Sequence, residues 1–135
     1  MTLSIVDFLN ARLKADQDAA EAARDLMDEP WKIFPEGPEE ENYSGGYRIS
    51  SGVTIAGHVE EAKAAHIARH DPARVLREVT AKRAIIEMAA YRLTAAEELE
   101  AKGVESTGEL RAPAEYLLST LAAIYSNHAE FREEW

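Results

Sequence analysis

A chain of 135 residues with a formal net charge of −10 and no cysteine is long enough to bury one core, and it must do so without disulfides or thiolate metal sites. No apolar run approaches the roughly 18 residues that cross a bilayer, and the opening residues lack the basic-then-apolar pattern of a secretory signal. A single cytoplasmic domain covering 1–135 is expected, and the acidic charge excludes the counterion-release drive that nucleic-acid binding uses.

The first helix is predicted to begin at Ser4. Ser4 and Asp7 stand at nearly the spacing of a capping box, with the shorter Asp in the usual Glu place. Leu9, Leu13, Ala20, Ala23 and Met27 then recur at helical intervals, widened by Phe8 and Leu26, while Asp16, Asp18, Glu21, Asp25 and Asp28 mark the outer face. Pro30 is the expected stop, because the residue before a proline is pushed out of the helical region.

Beyond it the pattern changes. Trp31-Lys32-Ile33-Phe34 reads as a short strand, and residues 35–42 as an acidic loop. Tyr47-Arg48-Ile49-Ser50 and Val53-Thr54-Ile55-Ala56 alternate with period two around Ser51-Gly52, which predicts a hairpin. So small a sheet needs a helix against its apolar face. Trp31, Phe34, Tyr43 and Tyr47 are the expected aromatic packing layer.

A second helix is predicted from His58 or Val59 to His70. Asp71 is a favoured N-cap and Pro72 suits a first helical position, so the chain should break there and restart. The third helix is expected to run from Pro72 to about Lys102, burying Val75, Leu76, Val79, Ile86, Met88 and Leu93, with Glu78 and Lys82 paired on its surface and Gly103 ending it. After a polar loop at 105–109, a fourth helix should extend to about Tyr125, with Pro113 near its first turn and Leu117, Leu118, Leu121 and Ile124 inside. Phe131 and Trp135, four residues apart in the tail, can dock on one face of the body. The fold class is therefore an α-dominated α+β domain: four helices, with a small antiparallel two- or three-stranded sheet between helices 1 and 2.

Chemistry centres on the helix junction. His66 and His70 sit one turn apart, the spacing by which two imidazoles can hold one metal ion. The intervening Ile-Ala-Arg lacks the glutamate base of H-E-x-x-H metalloproteases. A site needs a third ligand from His128, Asp71 or His58, and zinc or a similar divalent ion is the fitting cofactor. The opposing reading has no cofactor: histidines at a helix end bond to last-turn carbonyls, or pair with Asp71 or Glu78, and hold the bend. No nucleophile elbow, phosphate-binding loop or dinucleotide fingerprint is present, and the glutamate pairs fall in solvated contexts.

Charge is segregated as well. Between Lys63 and Arg92 the chain carries a local +4 against −14 elsewhere. On a helical wheel Arg74, Lys82 and Arg83 point different ways, so they form no phosphate-tracking stripe. Packing of acidic helices beside a basic one explains the segregation, and so does a basic patch for an acidic partner. Arg69, Asp71 and Arg74 at the junction, with Trp135, are the candidate binding residues.

The block from His66 to Val79, continued by Ala81-Lys82-Arg83, resembles a family of short actinobacterial and actinophage proteins of unknown function, whose members share a phrase like AEHIARHDPARVLREVEAKRRI. The opening Val6-Asp7-Phe8-Leu9-Asn10-Ala11-Arg12-Leu13, Pro30-Trp31 and the tail from Tyr125 to Trp135 are similar to that family's opening helix, its Pro-Trp and its YADHPDYREEW ending. Ala129 stands where the family's tail has proline. The resemblance marks His66, His70, Asp71 and His128 as pattern positions and implies a small accessory protein. The leading expectation is a non-catalytic module that binds a protein partner, such as a host protein, or a second copy of itself through an apolar helix face. The alternative is a His-based divalent-metal protein or small metal-dependent hydrolase.

Overall fold

The computed structural model describes residues 3–24, 30–37 and 46–135. Its elements are α1 (Ile5–Ala22), β1 (Lys32–Pro35), β2 (Tyr47–Ser50), β3 (Thr54–Val59), α2 (Glu61–Arg69), α3 (Pro72–Ala101), α4 (Gly108–Ala122) and a 3₁₀ turn, Ala123–Tyr125. Four helices and a small antiparallel sheet between α1 and α2 are thus the architecture. Among the described residues no helix is long and apolar enough to cross a membrane. The chain divides into two compact units, Met1–Asp16 with Glu78–Trp135, and Gln17–Arg77.

In the first unit, α1 opens as its sequence dictates. Ser4 Oγ accepts the Asp7 backbone N–H at 3.1 Å and donates to Asp7 Oδ2 at 2.6 Å. Ser4 therefore caps the first turn, while the short Asp7 arm takes the Ser4 hydroxyl where the longer Glu of a capping box would take its backbone N–H. Phe8, Leu9 and Leu13 are buried, as are Val79, Ile86, Ala89 and Ala96 of α3 and Ala114, Leu118 and Ala122 of α4. Alanine at so many of these positions lets helix backbones approach closely. Two expected core residues are not core: Met88 is 49% exposed and Ile124 54% exposed. Met88 falls on the opposite side of α3 from Ile86 and Ala89, and Ile124 lies in the 3₁₀ turn, where the helical stripe no longer applies.

The α3–α4 connection is built around Gly103. Its φ of +86° suits glycine, the Val104 N–H donates to the Leu99 carbonyl at 3.0 Å, and the Gly103 N–H donates to that of Glu100 at 2.9 Å. These are the two bonds of a Schellman stop. The polar loop proves shorter than expected: Thr107 is buried and Gly108 and Glu109 are already helical. The Thr107 hydroxyl is drawn to Glu100, which also takes bonds from the Arg111 guanidinium, and this ties the end of α3 to the start of α4. Pro113 lies inside α4 without ending it.

In the second unit the sheet order is β1-β2-β3, antiparallel throughout. Ile33 pairs with Ile49 and Phe34 with Arg48, and β2–β3 carries two register shifts. His58, expected to open the second helix, lies in β3 with φ +55°; its N–H donates to Glu36 Oε1 at 3.2 Å and its Nδ1 lies 3.4 Å from Glu36 Oε2. Helix α2 packs on β1 and β2, and Ile49 and Ala64 are fully buried. The packing layer therefore rests on Ile49 rather than on aromatics. Phe34 is 41% exposed, Trp31 and Tyr47 are half-buried, and Tyr43 lies outside the described residues.

Helix α1 ends at Ala22, not at Pro30. Ala20 is its last buried residue, and residues 21–24 are all exposed. The rest of the predicted stripe, Leu26 and Met27, lies outside the described residues, as does most of the predicted acidic loop.

Candidate functional site

The junction between α2 and α3 is a true break. The His70 backbone is non-helical (φ −101°, ψ 41°), and Asp71 Oδ1 accepts the Arg74 N–H at 2.8 Å, so Asp71 caps α3 with Pro72 at its first position. His70 Nδ1–H donates to the His66 carbonyl at 2.8 Å, and the Arg74 guanidinium reaches the Arg69 carbonyl at 3.3 Å. The Arg69 carbonyl at the end of α2 thus gains a cationic donor, and the His66 carbonyl, which also accepts the His70 backbone N–H at 3.3 Å, gains a second donor. The His66 and His70 rings face one another, centroids 4.4 Å apart and planes inclined at 39°. Among the described residues no group of three or more His, Asp or Glu side chains is arranged to hold a metal ion.

His128 belongs to a different cluster, in the first unit. Its Nε2 accepts from the Arg12 guanidinium, and the Glu130 backbone N–H donates to its Nδ1 at 3.1 Å. A neutral imidazole offers one lone pair, so these two donors compete for it. Arg12 also reaches the Glu130 carboxylate at 3.6 Å and lies over the Phe8 ring at 5.8 Å, while its own Nε is buried with no partner among the described residues. Phe8 is the centre of the cluster: Tyr125, His128, Phe131 and Trp135 all place rings within 6.4 Å of it. Phe131 and Trp135 therefore dock on one face, as their spacing suggests. Asp16, assigned to the outer face of α1, instead accepts the Tyr125 hydroxyl at 2.5 Å. Burial, then the bond to Asp16 and its charge, raise the Tyr125 pKa well above the usual phenol range.

Trp135 also borders a cleft of about 300 Å³, lined by Ile5, Leu93, Leu118 and Ser119 with the carboxylates of Glu115 and Glu134. Both carboxylates already have cations beside them, Arg111 at 3.5 Å and Arg132 at 3.7 Å. Arg111 is shared with Glu100, which it meets at 2.9 Å.

A larger and more open groove, about 560 Å³, lies in the second unit between β1 and α2. Trp31, Lys32, Ile33 and Phe34 form one wall; Ala65, Ala68 and Arg69 form the other. The three helix residues fall at i, i+3 and i+4, one face of α2, and the two alanines keep the groove wide. The strand wall belongs to an edge strand, since among the described residues β1 is paired only with β2. Arg48, opposite Phe34 in register, places its guanidinium 5.5 Å from that ring. An aromatic and aliphatic trough with Lys32 and Arg69 on its walls is an unusual feature of so acidic a chain. Of the residues singled out from sequence, Arg69 lines this groove. The signal that pointed there was the local excess of basic residues; Trp31 and Phe34, read as packing residues, carry the rest of it.

The chain belongs to a family described as a family of unknown function (DUF6221), whose model matches residues 2–135. No curated protein and no solved structure matches it.

Proposed function

We propose that the protein is a non-catalytic interaction module whose β1–α2 groove takes an acidic, apolar-containing segment of a partner protein. The observation that carries this reading is the groove itself: aromatic and small apolar side chains along an edge strand, with Lys32 and Arg69 on its walls. An extended segment laid along β1 gains backbone hydrogen bonds from the strand edge and buries alternate side chains against Trp31, Phe34 and the alanines of α2. Acidic residues on that segment meet the cations, which fixes orientation and speeds encounter. The resemblance to actinobacterial and actinophage proteins supports an accessory role in the cytoplasm, with a host protein as the partner.

Selection from a random displayed-peptide library tests this. Enriched sequences are expected to combine Asp or Glu with Leu, Phe or another large apolar residue. They should lose binding to a Lys32→Glu, Arg69→Glu variant that keeps its helical circular dichroism. Enrichment of basic sequences, or retention of binding by the folded variant, contradicts the proposal.

A second reading, divalent-metal binding, is favoured by the facing pair His66 and His70. The pair supplies two ligands on one helix turn, and water or a partner completes the set. Zinc titration of the wild type and of His66→Ala, His70→Ala separates the two: stoichiometric binding lost in the double variant supports it, and equal behaviour of both proteins removes it.

A further inference from the structure

Helix α3 carries two apolar faces. Val79, Ile86, Ala89 and Ala96 point into the core of the first unit. At about 100° per residue, Ala81, Ala84, Met88, Tyr91 and Ala95 form a second stripe on the other side. In that stripe Ala81 and Ala84 are exposed, Met88 is 49% exposed and Tyr91 75% exposed. The intervals alternate three and four residues, which is a heptad seam: Ala81, Met88 and Ala95 at position a, Ala84 and Tyr91 at d. Such a seam is narrower than the face a core helix shows and is suited to a single opposing helix.

The flanks say which helix. Glu87 falls at position g and Arg92 at position e, on opposite sides of the seam. In a parallel two-stranded coiled coil, g of one chain meets e of the next heptad in the other, five residues on. Glu87 and Arg92 are separated by that interval, so a second copy of this chain supplies an opposite charge to each. Antiparallel pairing sets g against g and e against e, and Glu87 then never meets Arg92. The preceding e and g positions, Ile85 and Thr80, carry no charge, and Glu78, two heptads before Arg92, is already engaged with Lys82 at 3.8 Å. We infer that the exposed stripe of α3 at residues 81–95 is a self-association surface, and that two copies of the chain pair through it in parallel and in register, with reciprocal Glu87–Arg92 ion pairs.

The seam is short and contains three alanines, so the dimer is expected to be concentration-dependent. Sedimentation equilibrium of the full chain over the micromolar to millimolar range should show monomer passing to dimer, weakened at high salt. Glu87→Arg and Arg92→Glu should each weaken association roughly threefold to tenfold, and the double swap should restore it. Restoration distinguishes pairing from a folding defect. Because the chain has no cysteine, Met88→Cys introduces a single thiol at a central a position. It should cross-link to itself under mild oxidation, faster than Glu105→Cys on an exposed loop. Monomer at every concentration overturns the inference. So does a dimer indifferent to both single swaps, or cross-linking of Met88→Cys only with Ala84→Cys, the antiparallel outcome.

Discussion

The indole of Trp135 lies on the ring of Phe8, centroids 4.8 Å apart and planes inclined at 42°. Phe8 is fully buried and touches four other rings, so the tail from Tyr125 onward packs around one aromatic side chain of α1, with Arg12 and Asp16 of the same helix bonding to it. Phe8→Ala is expected to cost about 3–5 kcal/mol, a large share of the stability of any small domain. Urea unfolding followed by tryptophan fluorescence checks this through the midpoint. A loss below 1 kcal/mol contradicts the central place given to Phe8.

Tyr125 and Asp16 give a pH signature. Burial, with the hydrogen bond and charge of Asp16, holds the folded-state pKa of Tyr125 above its unfolded value. The stabilisation is fully present below the unfolded phenol pKa of about 10 and is lost as pH rises from there through the folded pKa. The wild type should therefore lose up to about 1.4 kcal/mol per pH unit above that point, and Tyr125→Phe should lose correspondingly less. At neutral pH the same variant is expected to be weaker by about 1 kcal/mol. Parallel alkaline unfolding curves for the two proteins contradict the assignment.

The α3–α4 connection rests on Glu100. Bonds from the Thr107 hydroxyl first, then from Arg111, hold its carboxyl below the usual glutamate range. A depressed carboxyl stabilises the fold above its unfolded pKa, and the contribution fades as pH falls through the folded value. In Thr107→Val the Glu100 pKa, read from side-chain carboxyl chemical shifts, should move back up. An unchanged titration shows that Thr107 contributes nothing to it.

Asp71→Ala tests the helix restart. Loss of the bond from the Arg74 N–H is expected to cost about 1 kcal/mol, whereas Asp71→Asn should recover most of it. Thermal or urea denaturation reads both.

Signals that act within a few residues were legible in the sequence. Ser4 with Asp7, Asp71 with Pro72, and Gly103 each specify a helix end through their own hydrogen bonds or backbone angles. Period-two alternation located β2 and β3. Distant pairings were not legible: Arg12 meets His128 across 116 positions and Asp16 meets Tyr125 across 109. The apolar pattern of α3 also misled about Met88, because two stripes share one helix and periodicity cannot tell which is covered. The groove escaped for a related reason. Trp31 and Phe34 have the composition of a packing layer, but Ile49 fills that role and leaves them at the edge.

The most direct measurement uses the two tryptophans as reporters, Trp31 in the β1–α2 groove and Trp135 against Phe8. Titration of isotope-labelled protein with a short acidic peptide containing leucine and phenylalanine should shift the Trp31 indole N–H together with the backbone signals of Ala65, Ala68 and Arg69, and leave the Trp135 indole in place. Shifts confined to Trp135 and its neighbours, or no saturable shift at Trp31, would contradict partner binding in the groove.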